Sequence, residues 1–258
     1  MTVSDHYNKF VTLIKEHSAL IMGDFHTLAC EDFLISEPLT CQHKLIAVMD
    51  GCTMAKESVF ASILIGKILR KTAKEYYYLD FVTPLRSDAK TLLWKVCKEL
   101  FEQLTKQQHF LHLDKEELMC TLIIGIIDTG TKSAELLVVG DGLIVVDGEA
   151  FDFDQDDKPD YLGYHLEEDF EKWYAHQKQF VSVPSFADLS ISTDGMYSFK
   201  NFENTSATLS YTAIIQKLLL KLPMADENNF LKRQIERLKR EDGHFLTDDL
   251  AVIRLIDV

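Results

Sequence analysis

Apolar positions recur with two different periods along the chain, and the changes of period divide it into helical and extended stretches. Val3, Tyr7, Phe10, Val11 and Ile14 lie at helical spacing and predict an amphipathic helix over 3–17. Short apolar segments at 19–23, 33–36 and 44–49 then read as strands. Residues 54–79 and 88–108 are long and periodic enough for helices, and Leu92, Leu93, Val96, Leu100, Phe101 and Leu104 make one stripe of the second. The runs 119–127, 134–139 and 143–147 are β-rich and separated by Gly-containing turns, as in an antiparallel meander. Strands are predicted again at 180–183 and 189–193, helices at 206–222 and 228–241 with Pro223 as a stop signal between them, and a buried strand at 250–256. This order of strands, helix pair, strands, helix pair and strand predicts an α+β layered sandwich, with sheets packed together and helix pairs outside. With 11 Gly and 5 Pro in 258 residues, no stretch resembles a linker or an internal repeat. One domain over 1–258 is therefore expected, with residues 1–18 an added N-terminal helix.

Charge narrows the partners. Acidic residues number 41 against 27 Lys+Arg, a formal net charge of −14. Nucleic acid is not expected, because a phosphate backbone needs a basic face. A cation, or a substrate arriving with one, suits the chain better. The start, MTVSDHYNKF, lacks the basic and apolar regions of a signal peptide. The longest nearly unbroken apolar run, 118–127, is too short to span a bilayer, so no membrane partner is expected. Cys30, Cys41, Cys52, Cys97 and Cys120 are odd in number and form no CxxC pair, which fits neither a disulfide framework nor a zinc site. A reduced, cytoplasmic setting is the expectation.

Acidic residues at strand ends carry the chemistry. Apolar strands run into Asp50-Gly51, Asp141-Gly142 and Asp194-Gly195, Asp248-Asp249 stands before the final strand, and Glu31-Asp32 opens the strand FLIS. Each Asp-Gly is first of all a turn signal. If the sheets align these ends, however, several carboxylates converge in one cleft, where they repel and some stay protonated. An all-oxygen donor set suits Mg²⁺ or Mn²⁺. Two such ions can hold a hydroxide between them and stabilise in-line attack on phosphorus, which makes a phosphate ester the natural substrate.

The series Glu31-Asp32, Asp50-Gly51, Cys120-Thr121, Val139-Gly140-Asp141, Thr193-Asp194-Gly195 and Asp248-Asp249 resembles the metal-dependent protein phosphatases, the PPM or type 2C serine/threonine phosphatases. Their motifs read roughly NED, VxDGHGG, GSTA, VGDS, SDGLWD and DNxTVIVV in that order, and the counterparts here are EDFL, VMDGCTM, CTL, VGDG, STDGMYS and DDLAVIRL, covering about residue 19 to the end. The resemblance implies a four-layer α-β-β-α sandwich of two mainly antiparallel sheets. It implies that Asp50 bridges two metals, that the Gly51 carbonyl binds one, and that Asp194 and Asp248 complete the ligands of the other. By the same resemblance Glu31 and Asp32 hold metal-bound waters, and Asp141 matches a residue linked in many members to a third, weaker metal.

Two positions depart from the pattern. The motif histidine that acts as general acid is replaced by Cys52, as it is missing in many bacterial-type members, and cysteine has the higher ordinary pKa. The arginine that grips phosphate would fall at Thr27, and no Arg precedes Arg70; His26 is the alternative donor for substrate phosphate. Residues 152–172 hold nine acidic side chains against Lys158 and Lys172, in a segment that by the resemblance includes a flap beside the site. An acidic flap would favour phosphoproteins with basic residues near the phosphate. The expected activity is hydrolysis of phosphoserine or phosphothreonine. A small phosphoester hydrolase and a catalytically silent phosphatase-like regulatory domain are the alternatives.

Overall fold

Strand β3 (His43–Gly51) is apolar on both faces: Leu45, Ala47 and Met49 pack to one side, Ile46 and Val48 to the other. Such a strand needs a layer on each side. The computed structural model, which describes residues 14–153, 159–202, 208–223 and 229–257, supplies both. One sheet is formed by β2 (Phe33–Pro38), β3, β4 (Cys120–Asp128), β5 (Ser133–Val139) and β8 (Phe180–Val183) in that spatial order. The other runs β1 (Ile14–Ile21), β12 (Leu250–Asp257), β9 (Asp188–Ser192), β6 (Gly142–Val146) and β7 (Glu149–Phe153). All neighbours in both sheets are antiparallel. A short ribbon pairs β10 (Phe199–Lys200) with β11 (Phe245–Leu246).

Three clusters of buried side chains fill the layers. Ile46, Val48, Ile123, Val138, Ile144, Ile191 and Ile253 form the seam between the sheets. Outside the first sheet, α1 (Phe60–Val82), α2 (Ala89–Leu111) and α3 (Phe170–His176) close a core that includes Met49, Leu69, Leu100 and Trp173. Outside the second, α4 (Tyr211–Ile215), its π-helical continuation Gln216–Leu220 and α5 (Phe230–Arg240) pack Leu218, Phe230 and Leu238 against Val252. The fold is thus an α-β-β-α sandwich. Burial of each large aliphatic side chain is worth about 1.5–3 kcal/mol, so the three clusters dominate the stability. The largest fully buried side chain is a polar one, Arg254 on β12, which donates to both oxygens of Asp188 and to the carbonyl of Lys221 at 2.8 Å. Among the described residues no helix is long and apolar enough to cross a membrane.

The predicted stripe of α2 is buried at all six positions, and Asp88 caps the helix by accepting the Thr91 N–H at 2.7 Å. Other expectations need correction. Residues 14–17 of the predicted N-terminal helix are strand, because Ile14–Ile21 pairs residue by residue with β12; residues 1–13 lie outside the described residues. The helix expected from 54 begins at Phe60, and that expected over 206–222 is the shorter Tyr211–Leu220 stretch, with 203–207 outside the described residues. The meander breaks after β5: β6 pairs with β9 and β7 in the opposite sheet. Gly140 and Gly142, at φ of +92° and +136°, make that crossing, in a backbone region that glycine enters without strain.

Candidate functional site

The crossing between sheets sets the site. Asp141 stands between the two positive-φ glycines where the chain leaves one sheet for the other. Asp50 and Gly51 end β3 in register with Thr121 and Cys120, within the strand and not in a turn. A Cβ on Gly51 would lie 2.0 Å from the Ser58 carbonyl oxygen, so only glycine fits there. Asp194 opens a 3-10 turn, Asp194–Tyr197, directly after β9, and Asp248 precedes β12. Thr193 joins the sheets: its hydroxyl donates to Asp32 at 2.6 Å and accepts the Ala251 N–H at 3.0 Å. Ser198 orders the Asp248 loop, accepting the Asp248 N–H on its hydroxyl at 3.1 Å and the Thr247 hydroxyl on its carbonyl at 2.7 Å.

Asp50, Gly51, Asp141, Asp194 and Asp248 line one pocket of about 600 Å³, together with Cys52, Asp152, Tyr161, Tyr197 and Lys200. Three other predicted site residues do not line it. Asp32 lies behind Asp50, almost fully buried and in hydrogen-bonding contact with it. Glu31 and His26 line a separate groove of about 460 Å³ that also holds Thr27. There His26 faces carboxylates, with Nε2 3.0 Å from Asp248 and Nδ1 3.2 Å from Asp249, so its ring is engaged by acids and not turned to the pocket. The Glu31 carboxylate accepts the Thr53 hydroxyl at 2.8 Å.

Electrostatics mark the same cluster. Burial first, and then the charges of Asp32 and Asp194, raise Asp50 well above the ordinary carboxylate range. Asp32 is pushed up to about 7 by burial, against a lowering hydrogen bond from Thr193, with Asp194 and Asp249 adding repulsion. Asp194 also rises to about 7, through burial and then Asp141 and Asp248. Divalent cations would replace these reluctant protons and relieve the repulsion. Among the described residues no group of three or more His, Cys, Asp or Glu closes on one point as a ready cation site. The side chains converge on a pocket instead, which suits hard cations that keep several waters as ligands. The donor set, all oxygen and mostly anionic, therefore fits Mg²⁺ or Mn²⁺.

Sequence reasoning missed two residues here. Asp249 is buried and accepts the N–H groups of Gly23 at 2.7 Å and Glu31 at 2.5 Å, holding the Glu31-Asp32 segment against the final strand. Tyr161 stands beside Cys52, its phenol raised by burial and then by that thiol. The second aspartate of DD was a visible signal for the first; nothing marked Tyr161. All five cysteines are free thiols. Of the acidic segment 152–172, Asp152 reaches the pocket, while 154–158 lie outside the described residues.

Comparison with known proteins agrees with the fold. The family model described as protein phosphatase 2C matches residues 26–237. No curated protein matches the sequence significantly. Among solved structures, the fold is similar to a bacterial serine phosphatase carrying an arginine-to-alanine substitution, with a TM-score of 0.64 at 14% identity over 95% of this chain and 98% of that one. It is also similar to the serine/threonine phosphatase Stp1 of Staphylococcus aureus, with a TM-score of 0.61 at 14% identity over 95% of each chain. A fragment of SpoIIE from Bacillus subtilis, holding its PP2C phosphatase domain and part of its regulatory domain, matches with a TM-score of 0.54 at 17% identity, over 95% of this chain and 62% of that one. At such identities the likeness is one of fold.

Proposed function

Since the chain belongs to the protein phosphatase 2C family, we propose that it hydrolyses phosphoserine and phosphothreonine in proteins, with Mg²⁺ or Mn²⁺ held by Asp50, the Gly51 carbonyl, Asp194 and Asp248. The observation that carries this reading is the meeting of Asp50, Asp141, Asp194 and Asp248, from separate strand ends, on one pocket. When bound, such cations supply charge neutralisation at phosphoryl oxygens and a lowered pKa for water. The chain's own residues do the rest. Asp50 ends β3 on the pocket and holds the place of the bridging aspartate in the family motif, so we assign it to both cations. Asp32 and Thr193 fix the orientation of Asp50 from behind, as outer-shell partners do at metal sites. Asp141 is the candidate ligand of a third, weaker cation. Glu31 lies in the adjoining groove and acts on that side through water. Asp152, on the pocket wall, would draw basic residues flanking the phosphate. With His26 turned to Asp248 and Asp249, we withdraw it as the phosphate donor.

The test uses p-nitrophenyl phosphate and a phosphothreonine peptide, with Mn²⁺ and with chelator, on the wild type and Asp50→Ala. Mn²⁺-dependent turnover that disappears in Asp50→Ala supports the reading. An inactive wild type would favour the silent, regulatory alternative, and turnover that survives Asp50→Ala would refute the site.

A further inference from the structure

Five aspartates line the pocket, and among the described residues only one cationic side chain joins them, that of Lys200. Its position is set by the backbone. Lys200 is the second residue of β10, paired with Phe245, and Phe199 before it is buried. Successive side chains of a strand point to opposite faces, so the burial of Phe199 sends Lys200 outward onto the pocket wall. The preceding Ser198 donates to the Gly195 carbonyl at 2.9 Å and accepts the Asp248 N–H at 3.1 Å. The stem of Lys200 is thereby fixed to the same short loops that carry Asp194 and Asp248.

Among the described residues the lysine is also unclaimed. Lys44, Lys56, Lys132 and Lys239 each close an ion pair, whereas the Lys200 amine makes no hydrogen bond or ion pair among the described residues despite sharing a pocket with five carboxylates. Two divalent cations would offset four of the five carboxylate charges and the ammonium the fifth, so the loaded pocket no longer repels an anion. A phosphate dianion is the ligand that matches an ammonium next to divalent cations. The chain has no arginine before Arg70, Thr27 lies in the adjoining groove, and His26 is engaged by acids, so none of these competes for the task. We infer that Lys200 binds the phosphoryl oxygens of the substrate, the role for which the chain provides no arginine. This rests on the phosphatase reading above.

The Mn²⁺-loaded protein tests it by two readouts: calorimetric binding of inorganic phosphate, and steady-state kinetics on the phosphothreonine peptide. Lys200→Ala is expected to weaken phosphate binding about tenfold and to raise KM about tenfold, the scale of one charged hydrogen bond, while lowering kcat less than KM rises. Lys200→Arg should restore both to within about threefold, because the charge and donors return. Lys71→Ala, at an exposed pair on α1, serves as the control and should change neither. Unchanged phosphate affinity and KM in Lys200→Ala, beside an active wild type, overturn the assignment and leave the phosphatase reading intact. A wild type that neither turns over peptide nor binds phosphate removes both together.

Discussion

Replacing Asp249 by alanine removes an acceptor shared by two distant parts of the chain. One carboxylate oxygen takes the Gly23 N–H at 2.7 Å; the other takes the Glu31 N–H at 2.5 Å and lies 3.2 Å from His26 Nδ1. The residue is only 2% exposed, so both N–H groups would stay buried without a partner. A hydrogen bond to a charged group contributes about 1.5–3 kcal/mol, which sets the gross loss at about 3–6 kcal/mol for the pair. Against this, Asp249 is one of the charges that push Asp32 up, and its removal relieves that repulsion. A net loss of about 2–4 kcal/mol is expected, a large part of the ~5–15 kcal/mol typical of a folded chain. Urea unfolding of the metal-free protein followed by circular dichroism measures it, and amide exchange at Gly23 and Glu31 locates it. Asp249→Asn, which keeps one acceptor oxygen, should fall between. A loss below about 1 kcal/mol with unchanged protection of both amides would refute the reasoning.

Three further outcomes follow from the geometry. Burial pulls the His165 ring down, but hydrogen bonds to Glu168 and Asp160, each 2.7 Å, outweigh it and hold the ring above the ordinary histidine value. The folded state then holds that proton more tightly, so its contribution is complete below about pH 6.5 and is lost as pH rises through the folded value; His165→Gln should cost more in urea at about pH 5.5 than at about pH 9, and equal costs would contradict the assignment. Gly195→Ala places a Cβ 1.8 Å from the Asp249 carbonyl oxygen, backbone against backbone, and should lower stability by at least about 2 kcal/mol; a midpoint equal to the wild type would show that the loops yield freely. Burial raises Cys97 to about 12 and, with Asp50 and Asp32, raises Cys120 well above the ordinary thiol value. Mass-resolved alkylation of the folded protein at about pH 8 should therefore leave both unmodified until denaturant is added.

Where an element's hydrophobic pattern is dictated by burial on both faces, it can be read from the chain alone: β3, β4 and β12 each contain an apolar run (45–49, 122–127 and 250–253), and the α2 stripe is buried as its spacing predicts. Elements held by partners distant in sequence could not be read. Residues 14–17 continue a helical spacing yet become strand because β12 offers an open edge for pairing. Strand β7 is a half-exposed edge, EAFDF, only five residues long, and α3 is only seven residues long, anchored by Phe170 and Trp173. The same division holds at the pocket. Asp50, Asp141, Asp194 and Asp248 are visible because each sits at the end of a legible strand, whereas Tyr161 comes from a loop before a short 3-10 turn and Lys200 from a two-residue strand paired with distant Phe245.

The carboxylates of the pocket do not come from one sheet. Asp50 ends a strand of one, Asp194 and Asp248 flank strands of the other, and Asp141 sits on the chain that passes between them. The width of the pocket is therefore a lever arm on the spacing of the two sheets, set by side chains such as Ile123, Ile144 and Ile191 that never touch it. A ligand gripped from both walls would strap the sheets together, and trimming Ile144 or Ile191 would be felt as a change in grip. The pocket is in this sense a gauge of the seam: its affinity for cations would report on packing in a part of the molecule that takes no part in the chemistry.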